Sequence, residues 1–328
     1  MADRPALTPE SVLRRVEWRV IRRLDGRLQG AYRTVFRGAG LDVVDLREYQ
    51  PGDDLRHVDW NVTARTDTPH VRQYLEERDV TAWLLLDRSA SMGFGPVDRR
   101  KNTVLIEIAA TVAQLLSRGG NRVGAVLFDA DLEEIVPPGS GRKQVLRIIS
   151  RLLTAPASAA EPPAESGRSS RPWRRRRAPR SSGPAGRDGP RRTTALAVPL
   201  RAAQGIARRR SMIVVVSDFI TEPGWERHLT RLAARHDVVA LRVVDRREFD
   251  LPAVGMMYVE DAETGEQIFV DSADPGFQRR LRAAADARQA ALVAAARTAG
   301  VDLFTVTTDE DLVRALARIA ELRRRRRA

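Results

Sequence analysis

Residues 81–91 decide the fold, and they read Thr81-Ala82-Trp83-Leu84-Leu85-Leu86-Asp87-Arg88-Ser89-Ala90-Ser91. The first six are typical of a buried strand, because strands covered on both faces are near-continuous apolar runs. The polar half follows at once, with one carboxylate and two hydroxyls at alternate positions. Alternate residues of an extended segment point the same way. The oxygens of Asp87, Ser89 and Ser91 are therefore predicted to converge on one point.

Such a loop suits a hard divalent cation, which binds a few protein oxygens and completes its shell with water. The same residues also have a purely structural explanation, in which a strand-ending Asp and a Ser cap the next helix. A second strand, residues 211–216, favours the metal interpretation because it too ends in a carboxylate, Asp218. Residues 193–196 open the helix before that strand and contribute Thr194.

Strands and helices alternate along the chain, which predicts an open, mostly parallel, doubly wound α/β sheet covered on both faces. In such sheets, ligands bind beyond the carboxyl ends of the strands, where the strand order reverses. We therefore expect one crevice to collect the candidate metal ligands, which are Asp87, Ser89, Ser91, Thr194 and Asp218. The predicted strands are 80–86, 122–128, 132–136, 211–216, 238–244 and 303–306. The predicted helices are 8–24, 101–116, 142–153, 195–208, 225–235, 275–299 and 309–322.

The predicted domain organisation has three parts. Residues 1–78 form an N-terminal extension, helical at first and irregular over 40–78, which packs on the core. Residues 79–322 form the α/β domain, with a β-hairpin inserted at 253–271 and a disordered Arg-, Pro- and Ser-rich insertion at 155–192. Residues 323–328 are a basic tail.

The net charge of +13 is concentrated in two short segments of the chain. Residues 166–192 hold ten Arg and one Asp, and residues 323–327 are five Arg, so the rest of the chain is close to neutral. No nucleic-acid reading module is visible, and basic tails bind polyanions only weakly and in a salt-dependent way.

The absence of Cys excludes disulfides, thiolate metal sites and Cys nucleophiles. No apolar run approaches the roughly 18 residues of a membrane span, and the first residues lack the apolar segment of a secretory signal. The expectation is a cytoplasmic protein without a membrane span.

Two resemblances extend this interpretation. The three-part arrangement is similar to the metal-ion-dependent adhesion site of von Willebrand factor type A domains. There, an Asp-x-Ser-x-Ser loop, a Thr from a second loop and an Asp from a third hold the cation. The stretch Arg47-Glu48-Tyr49-Gln50-Pro51-Gly52-Asp53-Asp54-Leu55-Arg56-His57-Val58-Asp59-Trp60, with Ala64-Arg65, resembles the signature of domain-of-unknown-function family 58.

The resemblance implies Mg²⁺, or Mn²⁺ or Ca²⁺, held weakly until a partner protein adds an Asp or Glu. It implies as partner a MoxR-type AAA+ ATPase, because genes of the resembled family often lie beside genes for such ATPases. In that family a Gly usually precedes the Thr of the second loop. Here Arg192-Thr193 stand in its place, so Thr193 remains an alternative to Thr194.

The function expected from the sequence is metal-dependent protein binding without catalysis, as an accessory of an AAA+ ATPase in protein assembly or maturation. A metal-dependent hydrolase or phosphotransfer enzyme at the same loop is the first alternative. Such enzymes pair the strand-ending Asp with a carboxylate two residues later, and here that residue is Ser89. A polyanion-associated basic protein is the second alternative.

The signature segment is given a structural interpretation. His57-Val58-Asp59 could be half of a hydrolytic or metal site, but none of the four His has helical metal spacing such as His-Glu-x-x-His. We expect Trp60 to be largely buried, and Arg56 or Arg65 to pair with a carboxylate of Asp53, Asp54 or Asp59.

Overall fold

The computed structural model describes residues 8–17, 45–50, 58, 60–66, 68–73, 81–96, 99–154, 194–261 and 266–327. The predicted insertion at 155–192 lies outside these residues. The described strands are β1 (Asp45–Glu48), β2 (His70–Gln73), β3 (Thr81–Asp87), β4 (Arg122–Phe128), β5 (Leu132–Gly139), β6 (Met212–Ser217), β7 (Asp237–Val244), β8 (Met256–Glu260), β9 (Gln267–Asp271) and β10 (Asp302–Thr307). The described α-helices are α1 (Pro9–Val16), α2 (Trp60–Thr66), α3 (Lys101–Arg118), α4 (Gly141–Leu153), α5 (Ala197–Ile206), α6 (Glu226–Ala233), α7 (Pro275–Thr298) and α8 (Leu312–Arg327).

A six-stranded sheet with the order β10-β7-β6-β3-β4-β5 forms the centre of the protein. All neighbours are parallel except β5, which runs antiparallel to β4 at one edge. The predicted mostly parallel α/β sheet is confirmed. From β3 the chain first adds β4 and β5 on one side, then returns to add β6 and β7 on the other. The strand order therefore reverses between β3 and β6, which are hydrogen-bonded neighbours.

Helices cover both faces of the sheet, which explains why β3 is apolar at every position from Ala82 to Leu86. Ala82, Leu84 and Leu86 point to the face covered by α1, α3, α4 and α8. Trp83 and Leu85 point to the opposite face, which is covered by α5, α6 and α7.

Helix α1 belongs to the N-terminal extension, yet its apolar face lies in the main core. Val12, Leu13 and Val16 are buried there against α3 and α4. The hydroxyl of Thr8 caps the helix by accepting a hydrogen bond from the Ser11 N–H at 3.2 Å. At the helix surface, the Arg15 guanidinium lies 2.9 Å from the Glu107 carboxylate of α3.

The structure of the region around the signature, residues 40–78, differs from the prediction in two ways. Residues 40–78 are not wholly irregular, because β1 and β2 form an antiparallel pair and α2 lies between them in the chain. The prediction of a buried Trp60 was wrong, since its side chain is 68% exposed. Trp60 is the first residue of the short helix α2, which lies against β2 rather than over the central sheet. Arg56, Asp53, Asp54 and Asp59 lie outside the described residues.

The C-terminal arginines also depart from the prediction of a tail starting at residue 323. Helix α8 continues through Arg327. The Arg323 side chain is buried, with its guanidinium 2.6 Å from the Asp237 carboxylate and 3.1 Å from the Asp302 carboxylate. These carboxylates stand at the amino ends of β7 and β10. They pair with Arg323 because a buried guanidinium is stable only next to an opposite charge.

Strands β8 and β9 form a separate two-stranded hairpin at the predicted place. One face of this ribbon exposes Met256, Tyr258 and Phe269, and the two aromatic rings are 4.7 Å apart at their centroids. Within the described part of the chain, no helix combines the length and the apolarity that crossing a membrane requires.

Candidate metal site

The candidate site lies where the strand order reverses, on the loops that leave β3 and β6. The first loop is held down at once, because the Arg88 N–H donates to the Phe128 carbonyl of β4 at 2.7 Å. It then forms a 3₁₀ turn over Ala90–Gly93, anchored by the buried side chain of Met92. This turn keeps Asp87, Ser89 and Ser91 together at 1%, 3% and 4% exposure.

Hydroxyl and amide groups surround the Asp87 carboxylate. Its Oδ1 accepts a hydrogen bond from the Ser89 N–H at 2.9 Å, and its Oδ2 accepts one from the Ser217 hydroxyl at 2.5 Å. The hydroxyl oxygens of Ser89 and Ser91 are 3.0 Å apart. The predicted convergence of Asp87, Ser89 and Ser91 is present in the structure.

Burial raises the pKa of Asp87 to about 7, and the nearby negative charge of Asp218 adds to the rise, against hydrogen bonds from Ser217 and Ser89 that lower it. Among the described residues, no Lys, Arg or His forms an ion pair with Asp87. A buried carboxylate beside a second carboxylate, without a cation of its own, is electrostatically unfavourable. A metal cation bound next to Asp87 would supply the missing charge.

Asp218 follows β6 directly and is 1% exposed. Its Oδ1 accepts a hydrogen bond from the Ile220 N–H at 2.9 Å, and its Oδ2 accepts one from the Lys101 ammonium at 2.7 Å. The next residue, Phe219, has a φ of 60°, which is rare for a residue with a bulky side chain. Its N–H donates to the Ser217 hydroxyl at 2.8 Å, so the strained turn is tied to the group that also contacts Asp87.

The backbone of Thr194 is held against the loop that follows Asp218. Its carbonyl accepts hydrogen bonds from the Thr221 hydroxyl at 2.7 Å and from the Glu222 N–H at 3.1 Å. The Thr221 hydroxyl also accepts from the Leu196 N–H at 3.0 Å, which fixes the start of α5. Thr194 is 1% exposed. Thr193, the alternative ligand, lies outside the described residues.

A buried cation stands beside the site and was not foreseen from the sequence. Lys101, the first residue of α3, is 0% exposed and contacts the carboxylates of Asp218 and Glu248. Burial lowers its pKa, but the two carboxylates outweigh that effect and the pKa is raised overall. Burial also raises the pKa of Glu248, against the opposing effect of Lys101. The composition alone could have drawn attention to Lys101, because it is one of two lysines among 56 basic residues.

The donor set fits Mg²⁺ or a similar hard cation. It consists only of carboxylate and hydroxyl oxygens, which are the ligands that such cations prefer. The carboxyl group of Asp87 is buried and has no cationic partner among the described residues, and the paired hydroxyls of Ser89 and Ser91 lie two and four residues further on. Asp87, Ser89, Ser91, Thr194 and Asp218 would hold such an ion.

The chain matches one protein-family model, described as "Protein of unknown function DUF58", over residues 45–291. The uncharacterized protein Rv1480 of Mycobacterium tuberculosis (strain ATCC 25618 / H37Rv) is 35% identical over 323 residues, covering 98% of this chain and 92% of that protein. The uncharacterized protein YeaD of Bacillus subtilis (strain 168) is 25% identical over 117 residues, 36% of this chain and 27% of its own length.

Two solved structures resemble the fold at a distance. The conserved hypothetical protein BatB from Bacteroides thetaiotaomicron has a TM-score of 0.43 and 14% sequence identity, over 75% of this chain and 99% of its own. An aerotolerance-related membrane protein from Bacteroides fragilis has a TM-score of 0.43 and 15% identity over the same shares of the two chains. Similarities at this level carry no information about function.

Proposed function

Because the chain belongs to the family described as Protein of unknown function DUF58, whose description assigns no activity, we propose a function from the site itself. The protein is a metal-dependent protein-binding module. Asp87, Ser89, Ser91, Thr194 and Asp218 hold a divalent cation, most simply Mg²⁺, at the edge of the sheet where the strand order reverses. A carboxylate from a partner protein completes the coordination of the ion.

The observation that carries this proposal is the state of Asp87. Its carboxyl group is buried at 1% exposure and lies close enough to Asp218 for repulsion between the two. Its hydrogen-bond partners among the described residues are hydroxyl and N–H groups. A structural capping role does not require that burial, because a capping Asp works equally well at the surface. A cation is the group that converts this unfavourable arrangement into a favourable one.

In this proposal some residues of the site are ligands of the ion, and others orient those ligands. The hydroxyls of Ser89 and Ser91 are neutral, so they add ligands without cancelling the charge of the ion. The Ser217 hydroxyl orients Asp87 from the side of β6, and the Ile220 N–H orients Asp218. When bound, the cation supplies an electrostatic anchor for an acidic side chain of the partner.

We further propose a MoxR-type AAA+ ATPase as the partner, in the assembly or maturation of another protein. This part rests on the resemblance of residues 47–60 to the signature of a family whose genes often lie beside such ATPases. The proposal assigns no catalytic role. The residue two positions after Asp87 is Ser89, so the loop lacks the second carboxylate with which a phosphotransfer enzyme would protonate its leaving group.

Calorimetric titration with Mn²⁺ at pH 8 tests the metal site. Wild-type protein should bind one ion, and Asp87→Ala should lose the binding while it still melts cooperatively. The control is Asp286→Ala, which removes an exposed carboxylate from α7 and should bind as the wild type does. Equal affinity in Asp87→Ala and wild type would exclude the site.

The partner is tested separately, with a purified MoxR-type AAA+ ATPase. It should bind the immobilised protein in Mg²⁺ and dissociate in EDTA, and it should fail to bind Asp87→Ala. Binding that is unaffected by EDTA would reject the metal-bridged contact, even if the ion itself is bound.

A further inference from the structure

Lys101 occupies a position that is costly for a lysine. It is fully buried, and it is the first residue of α3, where the helix dipole disfavours a positive charge. The chain uses Arg for nearly all of its other basic positions. A buried ammonium group is tolerated only when it is paired, and Lys101 is paired with the carboxylates of Asp218 and Glu248.

The contacts of Lys101 fix its ammonium group between two acidic side chains. Nζ donates to Oδ2 of Asp218 at 2.7 Å and also donates to the Glu248 carboxylate. The same nitrogen lies 5.9 Å from the centroid of the Phe94 ring, and the Lys101 N–H donates to the Phe94 carbonyl at 3.0 Å. The position of the charge is therefore fixed by contacts of the ammonium group and of the Lys101 backbone.

The formal charges around the site give a simple count. Asp87, Asp218 and Glu248 contribute three negative charges, and Lys101 contributes one positive charge. Arg242 adds a second, since its guanidinium donates to the Asp218 carbonyl at 3.2 Å. The cluster thus carries one net negative charge with all five groups ionised. A bound divalent ion changes that to one net positive charge, which a single carboxylate neutralises.

We propose that Lys101 is a built-in cation that sets the charge of the metal site. This inference rests on the proposed function, because it assumes that the ion binds beside Asp87. Lys101 neutralises Asp218, keeps the affinity for the bare ion low, and leaves the metal-bound cluster positive. A partner's carboxylate is then the ligand that restores neutrality. Without Lys101 the metal-bound cluster would already be neutral, and the partner's charge would add little.

The proposal predicts opposite effects for two residues that contact each other. Removing the charge of Lys101 should strengthen the binding of a bare divalent ion, because a nearby positive charge is lost. Removing the charge of Glu248 should weaken it, because a negative charge is lost. A purely structural ion pair between Lys101 and Glu248 predicts instead that either change weakens binding, by loosening Asp218.

The experiment is a calorimetric Mn²⁺ titration of the full chain at pH 8 in 0.1 M salt, with a thermal melt of each protein. Lys101→Met keeps the length of the side chain, and we expect it to bind Mn²⁺ about tenfold more tightly. Glu248→Gln should bind about tenfold more weakly. The double variant restores the original net charge and should return to within about threefold of wild type. The control is Lys143→Met, which removes the only other lysine, an exposed one, and should leave the affinity unchanged.

Weaker or unchanged Mn²⁺ binding in Lys101→Met would overturn the proposal. If Lys101→Met fails to fold, the double variant decides, because a loss of binding at the wild-type net charge contradicts a role based on charge. Failure of the proposed function gives a different result, since wild type would then bind no Mn²⁺, or would bind it as Asp87→Ala does. The failure of the role of Lys101 is therefore distinguishable from the failure of the metal site.

Discussion

At the scale of single residues, the buried carboxyl group of Asp87 should make stability and the proposed metal binding depend on pH in opposite ways. Its pKa of about 7 in the folded protein lies above the roughly 3.9 of an unfolded chain. The folded state therefore holds the proton more tightly, and the stability that this contributes below pH 4 is lost as the pH rises to about 7. A metal ion needs the deprotonated form, so its affinity should rise over the upper part of the same range.

Asp87→Asn tests the stability effect. In EDTA at pH 8 the variant should melt about 2–6 °C above wild type, because it removes an unpaired buried charge. The difference should shrink toward pH 5, where the wild-type carboxyl group is protonated. Thermal melts at the two pH values measure it. A variant that is less stable than wild type at pH 8 would contradict the assignment of Asp87 as a strained, cation-deficient carboxylate.

The positions of Asp87 and Asp218 were predictable because each residue ends an apolar run. Asp87 and Asp218 come directly after β3 and β6, and parallel neighbouring strands bring their carboxyl ends together. Lys101 and Glu248 could not be placed in the same way. Their contact joins residues 147 positions apart, and neither lies at the end of a central strand. It depends on how α3 packs against the turn after β7, which periodicity does not encode.

At the scale of elements, the close packing of β4 against β3 makes a glycine necessary. A Cβ atom at Gly124 would lie 2.7 Å from the Trp83 ring and 3.1 Å from the Val136 carbonyl. The indole of Trp83 is buried and cannot move aside without disturbing the core. Gly124→Ala should therefore lower the melting temperature by about 5 °C or more.

Gly205 provides the matched comparison for that substitution. It is an exposed residue of α5, and a Cβ atom added there would meet no heavy atom of the described residues within 4 Å. Gly205→Ala should raise the melting temperature by about 2 °C, because Ala is the better helix former by roughly 0.5–1 kcal/mol. A Gly124→Ala variant that melts at or above the wild-type temperature would contradict the predicted clash with Trp83.

The sequence did not reveal β1, β2 or the end of α8, for two different physical reasons. The strands of the central sheet and the hairpin were found because their apolar runs are long or alternate cleanly. β1 and β2 are four residues each, too short for a periodic signal. The arginines at the end of α8 resemble a solvated tail in composition. Arg323 is nevertheless buried, because Asp237 and Asp302 from two distant strands meet it.

At the scale of the whole molecule, helix α1 of the N-terminal extension shares one core with the α/β domain. We therefore expect residues 79–328 alone, which lack α1, to be insoluble or to melt without a cooperative transition. In the full chain, Leu13→Ala should lower the free energy of unfolding by about 2–5 kcal/mol, because this side chain of α1 is fully buried in the core. Arg14→Ala, on the exposed side of the same helix, should cost little. A cooperatively melting 79–328 fragment would refute the dependence.

The hairpin of β8 and β9 also has a consequence for how the protein behaves in concentrated solution. Within the described residues, neither outer edge of the ribbon pairs with another strand, and Met256, Tyr258 and Phe269 face the solvent. Two molecules that contact each other through such ribbons can associate while both remain folded. Light scattering should therefore rise below the main melting transition, and Tyr258→Ser with Phe269→Ser should suppress the rise at an unchanged melting temperature. The shelf life of a purified sample would then depend on a few side chains of this ribbon, while the core that sets its thermal stability stays intact.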